Sequence, residues 1–226
     1  MKLVILGTAE SRALAPYDDK GWEIWGCQPA ISYDDVKRVD LIFELHADSY
    51  CNKPDIIKRI NDSNIPVMMQ RHYTDIPKSK AFPLDDMIEF WRGKHANGAK
   101  YYTSTIAYMI AYALFKGGYE AIALYGVHLS ADEEYGWQRQ AMEYWVGVAE
   151  GMGIKVFIPE DSSICAGHRL YAYDADSALL TEVRKLQNEL DGKMRLVKAR
   201  LDATVQEMYE HNGAVKALAH IHRVFS

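Results

Sequence analysis

Short apolar runs alternate with amphipathic stretches along the first two thirds of the chain. Lys2–Leu6, Trp22–Cys27 and residues 40–45 and 65–70 are largely apolar and do not alternate with polar residues. Such runs predict strands buried on both faces. Ala121–Tyr125, closed by Gly126, and residues 154–158, closed by Pro159, are two more. Pro66, at the start of its run, lacks a donor, which suits a strand beginning or a sheet edge. Helical spacing appears at residues 53–60 and at Leu84, Met87, Ile88 and Trp91. It recurs at 106–115, stopped by Gly117-Gly118, and again up to Gly151. Residues 93–100, polar with two glycines, read as a mobile loop, and 130–140 as a polar loop. Strands alternating with helices predict an α/β, Rossmann-like fold with a mostly parallel sheet flanked by helices.

The pattern changes after Asp174. Val183, Leu186, Leu190, Met194, Val197, Leu201, Val205 and Met208 recur in steps of three and four that sum to an eleven-residue repeat. That period gives a nearly straight or slightly right-handed packing stripe. The phase is unbroken through Asp191-Gly192, so one long helix over about 175–211 is expected. Asn212-Gly213 is the expected stop, followed by a short helix over 214–225. The expected organisation is a nucleotide-binding domain over 1–170 and a helical extension over 171–226. A narrow stripe on a charged helix calls for a partner helix, and a second copy of the chain, giving a homo-oligomer, is the expected partner.

Composition narrows the class. Of 226 residues, 49% are hydrophobic, enough for a core and unlike a disordered chain. A net charge of -5 argues against general nucleic-acid binding, which wants a basic face. The three cysteines, Cys27, Cys51 and Cys165, make neither a metal pair nor a disulfide framework, and a reducing cytoplasm is the simplest compartment. No run is long and apolar enough to suggest a membrane span. The aromatic content reads first as core filling.

Candidate chemistry gathers where strands end, because open parallel sheets bind ligands beyond the carboxyl ends of their strands. The first strand runs into Gly7-Thr8-Ala9-Glu10-Ser11. One glycine makes neither a dinucleotide fingerprint nor a P-loop, and Ser11 reads equally as a turn cap or a ligand contact. The second strand ends at Gln28 and the third at His46, and Arg71 follows the fourth. Thr103-Ser104-Thr105 opens the central helix, where hydroxyls cap free N–H groups that also bind anions. After Gly126 come His128, then Asp132, Glu133, Glu134, Tyr135 and Arg139, groups able to move protons or grip a substrate. Their spacing defines no mechanism and no helical metal pair. A solvated loop and helix face accounts for them as well.

The order of these pieces resembles the bacterial CMP-sialic-acid-dependent sialyltransferases and the related pterin-pyrophosphokinase-like proteins. In the former a first strand meets Gly-x-Gly-Pro-Ser, matched here by Gly7 to Ser11 with alanine for the second glycine and glutamate for proline. Cys27-Gln28 stands for their Cys-Asn, Thr103-Ser104-Thr105 for Thr-Ser-Gly, and Gly126-Val127-His128-Leu129 for Gly-Ile-Asp-Phe. Pro159-Glu160-Asp161-Ser162-Ser163 loosely matches a closing Pro-x-Ser. The long lid of that family is reduced here to residues 130–140. The appended helix resembles bacteriophage proteins of the same superfamily, for which the compartment would be the host cytoplasm.

The resemblance implies a nucleotide or nucleotide-sugar ligand and a glycosyltransferase-like reaction. Gly7, Thr8, Ala9, Ser11, Gln28, Thr103, Ser104 and Gly126 would hold the nucleotide. Tyr135 or Arg139 would stabilise the departing phosphate, and His128 or His46 would deprotonate the acceptor. No metal is implied. Two alternatives stand beside it. One is a magnesium-dependent diphosphate transfer to a pterin-like alcohol. The other is a catalytically degenerate module that binds a ligand or partner and assembles through its helix.

Overall fold

The computed structural model describes residues 1–95, 97–128, 133–166, 170 and 178–225. Of residues 133–136, 178–179, 221 and 224–225 only the backbone is described. The chain divides into two compact units, Met1–Ala166 and Gly167–Ser226.

Among the described residues of the first unit, seven strands form one sheet in the order β5-β4-β3-β2-β1-β6-β7, every neighbouring pair parallel. The strands are β1 Lys2–Leu6, β2 Trp22–Cys27, β3 Leu41–Glu44, β4 Val67–Met69, β5 Ser79–Ala81, β6 Ala121–Tyr125 and β7 Lys155–Phe157. Helices α1 Asp48–Cys51 and α2 Pro54–Ser63 join β3 to β4. Helices α3 Leu84–Arg92 and α4 Thr105–Lys116 join β5 to β6, and α5 Glu133–Gly151 joins β6 to β7. The Rossmann-like α/β expectation holds, and the sheet is wholly parallel.

Strand β1 sits near the centre because Leu3, Val4, Ile5 and Leu6 are fully buried. Its side chains alternate between two cores. Leu3 and Ile5 join Trp25, Phe43, Leu124 and α4 on one face. Val4 and Leu6 join Ile24, Ile42 and Ile56 on the other. The largest buried aromatic residues serve the first core, where Trp25, Trp91, Trp145 and Phe43 are fully buried.

Helix α4 is apolar nearly all round and is correspondingly buried. Ser104 caps it, its Oγ accepting from Ala107 N at 3.2 Å. Gly117, at φ 71°, and Gly118, at φ 85°, turn the chain back into β6. Lys116 bonds Glu23 at the start of β2, so the Ser104 end of the helix lies at the carboxyl edge of the sheet.

Several expectations need correcting. Strand β5 carries only Ser-Lys-Ala, an edge strand with no hydrophobic signature. Residues 137–140, expected in a loop, belong to α5. Within the expected loop at 93–100, Gly98 and Ala99 are buried rather than solvated.

Leu170 apart, the described residues of the second unit form one helix, α6, Ala178–Phe225, of 48 residues. It runs through Asn212-Gly213, where a stop was expected. A glycine in a helix interior costs only about 1 kcal/mol relative to alanine, and residues 214–218 are good helix formers without proline. Breaking the helix there would forfeit more backbone hydrogen bonds than that cost returns. Among the described residues no helix is long and apolar enough to cross a membrane.

Candidate functional site

The strand order reverses between β1 and β6, which is where a doubly wound sheet normally opens a ligand crevice. Here that junction is closed. Gly7 N donates to Tyr125 O at 2.8 Å, and Ala9 N to Gly126 O at 2.8 Å. The two glycines allow this approach, since a Cβ on Gly7 would lie 2.3 Å from Gly126 O. One on Gly126 would lie 2.7 Å from Gly7 O. Gly126 also needs its left-handed φ of 71°.

Ser11 completes the closure. It is buried, and its Oγ accepts from Gly126 N at 2.9 Å and meets His128 Nε2 at 2.9 Å. Asp161 Oδ2 lies 3.1 Å from the same nitrogen. Serine, histidine and aspartate thus cluster, but hydroxyl and carboxylate share one ring nitrogen. A proton relay needs the carboxylate on the opposite nitrogen. This cluster clamps the β1, β6 and β7 exits together. The clamp extends through Ser162 Oγ, which donates to Val127 O at 2.7 Å, and Ser163 N, which donates to His128 O at 3.2 Å.

Other sequence-selected residues also hold structure. Thr8 O accepts from Arg12 Nη1 at 2.8 Å. Thr103 Oγ1 donates to Trp137 O at 3.0 Å, and Ser104 caps α4. Arg139 pairs with Glu143 at 2.8 Å along α5. The side chains of Glu133, Glu134 and Tyr135, and all of Asp132, lie outside the described residues.

The ends of β2 and β3 differ. Gln28, immediately after β2, is fully buried, and neither its Oε1 nor its Nε2 has a hydrogen-bond partner. Glu44, the last residue of β3, is 1% exposed, and its Oε2 is likewise unpaired. The sequence reading missed Glu44. Its signal was a carboxylate at the end of an apolar strand, a place where unpaired charge is rarely buried.

Glu44 Oε1 is fully used. It accepts from His46 Nδ1 at 2.6 Å and from His46 N at 3.0 Å. The carboxylate is an acceptor, so it fixes the proton on Nδ1 and leaves Nε2 as the ring's free acceptor. The His46 side chain is 52% exposed and lies against Tyr50, with centroids 4.6 Å apart. The β3 exit is braced on several sides. Gln70 Nε2 donates to Leu45 O at 3.0 Å, and Cys51 Sγ to His46 O at 3.3 Å.

Next to it, Asp48 accepts from the Tyr73 hydroxyl and from Arg71 Nη2 at 2.6 Å. Those two bonds, Tyr73 first, hold the Asp48 carboxyl below its ordinary range. Arg71 is pushed up, chiefly by Asp48. Burial drives the Cys27 thiol, one residue before Gln28, up to about 11, with the Glu44 charge adding to the effect.

Open hollows beside α2, at Asp55, Lys58, Arg59 and Asp62, and along α6, at Thr181, Arg184, Lys185 and Asn188, lie on helix flanks. Neither is lined by Ser11, Gln28, Glu44 or His46. Among the described residues no group of three metal-ligating side chains converges.

The carboxyl edge therefore carries two polar constellations. One is satisfied internally at the β1–β6 junction. The other has unpaired buried groups and an outward-facing imidazole at the β2–β3 ends. The chain matches no protein-family model, no curated protein and no solved structure.

Proposed function

We propose that the first unit binds a nucleotide or nucleotide-sugar at the carboxyl edge of its sheet and transfers the sugar to an acceptor hydroxyl. One observation carries this reading: Gln28, fully buried at a strand end with both polar atoms unpaired. A buried amide without partners costs about 1–3 kcal/mol, a cost that a ligand's hydrogen bonds would offset. Gln28 is also the position at which the resemblance to the sialyltransferases sets a nucleotide contact.

Of the two histidines proposed as base, His46 is the better placed. Its Nε2 is free, and a carboxylate on Nδ1 supports the imidazolium formed on proton abstraction. His128 is occupied by Ser11 and Asp161. Ser11 moves from ligand contact to structural clamp in this reading. Calorimetry with CMP, CDP, UDP and GDP sugars tests it. Micromolar binding abolished by Gln28→Leu is expected, and no heat from any of the four removes the proposal.

The second unit supports self-association. Its eight stripe residues are 38–71% exposed along one face of α6. Pairing with a second copy would remove on the order of 800 Å² per helix, the size of a stable interface. Sedimentation tests this. A dimer or higher species at micromolar concentration is expected, reduced to monomer by Leu190→Glu with Leu201→Glu. A monomeric wild-type chain overturns it.

A further inference from the structure

Three polar atoms at neighbouring strand ends lack partners: Gln28 Oε1, Gln28 Nε2 and Glu44 Oε2. The β2–β3 register pairs Cys27 with Phe43, so Gln28 and Glu44 follow side by side. The large majority of buried polar groups in native proteins are hydrogen-bonded, and an unpaired carboxylate oxygen costs more than a neutral one. The set offers one amide nitrogen with two N–H donors, and two acceptor oxygens.

Which ligand group fits follows from what Glu44 has left. Its Oε1 already accepts two hydrogen bonds, from the ring and the backbone of His46. A carboxylate with one oxygen remaining cannot clamp a guanidinium or the paired N–H groups of a guanine-like edge, since either needs both oxygens. One acceptor beside an amide suits two adjacent hydroxyls. The first hydroxyl donates to Glu44 Oε2 and accepts from Gln28 Nε2. The second donates to Gln28 Oε1.

We propose that Gln28 and Glu44 form a subsite for a vicinal diol, supplied by the ribose of the nucleotide or by the sugar it carries. This rests on the nucleotide reading above and specifies which part of the ligand enters between β2 and β3. The same carboxylate then joins recognition to chemistry. Through Oε2 it binds the diol, and through Oε1 it positions His46 beside it.

The test is calorimetry on the full chain with CDP, UDP and GDP, their 2′-deoxy counterparts, the corresponding nucleotide-sugars and the free sugars. Ribonucleotides are expected to bind at least tenfold more tightly than 2′-deoxynucleotides, with Glu44→Gln bringing that ratio close to one. If the sugar supplies the diol, free sugars bind instead, and Gln28→Met abolishes that binding. Equal binding of ribo and deoxy forms, with no free sugar bound, overturns the diol subsite and leaves the nucleotide reading standing. No binding by any compound overturns both. The wild-type ribo-to-deoxy ratio decides without a variant, should Glu44→Gln fail to fold.

Discussion

The β1–β6 junction and the β2–β3 ends are built from similar parts. Each has an uncharged polar residue after a strand, a histidine and a carboxylate: Ser11, His128 and Asp161 in one, Gln28, His46 and Glu44 in the other. At the junction every one of these groups is turned on another, and two glycines bring the backbones into contact. At the β2–β3 ends the histidine is held by one carboxylate oxygen, and the remaining polar atoms are left over. The lesson concerns the rule for doubly wound sheets. Topology names a crevice at the reversal of strand order, but satisfied hydrogen bonds can close it. On the reading proposed above, the unpaired groups of Gln28 and Glu44 are where a ligand would supply the missing partners.

Four experiments press on this contrast, in descending order of effect. Gly7→Ala should be the most damaging, because its Cβ would meet Gly126 O at 2.3 Å and the two exits cannot separate without breaking their hydrogen bonds. A loss of about 3 kcal/mol or more is expected by urea denaturation. A loss below 1 kcal/mol would mean that the junction is looser than drawn.

Ser11→Ala should follow. It strips the buried Gly126 N–H of its acceptor, for a loss of about 1–3 kcal/mol, while ligand affinity stays within twofold. Lost affinity without lost stability would return Ser11 to the binding site.

The Cys27 thiol gives a pH signature of the β2–β3 region. Its folded pKa is raised above the ordinary value near 9 to about 11. The unfolded chain therefore releases this proton first, and stability falls as pH rises from about 9 to about 11. The expected contribution is about 1 kcal/mol at pH 10, read as the difference between wild type and Cys27→Ala. Identical pH profiles would place the thiol in water.

Smallest and opposite in sign, Gln28→Met should leave stability unchanged or raise it by up to about 1 kcal/mol, since it removes unpaired buried polar atoms at similar volume. It should abolish ligand binding. Stability gained with binding lost is the expected mark of a residue kept for a ligand rather than for the fold. A loss above 1 kcal/mol would show that Gln28 is satisfied in the folded chain.

Much of the architecture was legible because the local signals were unambiguous. Lys2–Leu6, Trp22–Cys27 and Ala121–Tyr125 are apolar without alternation, and the structure makes all three strands over those bounds. Ser104 before an apolar run is a capping signature, and it caps. Strand β5 was not legible, since Ser-Lys-Ala at a sheet edge buries too little to leave a pattern. Nor was the continuity of α6, because Asn212-Gly213 is a stop by propensity, and propensity is a small term beside sustained backbone bonding.

By itself the sequence determined the layered α/β plan, the polar residues at each strand end and the apolar stripe of α6. These depend on which residues must leave water, and that is written in their order. The tertiary structure alone decided which strand ends were closed. Whether Ser11 finds Gly126, or Gln28 finds nothing, depends on groups brought together from distant parts of the chain. A hydrogen bond made or missed across that distance leaves no trace in the linear pattern.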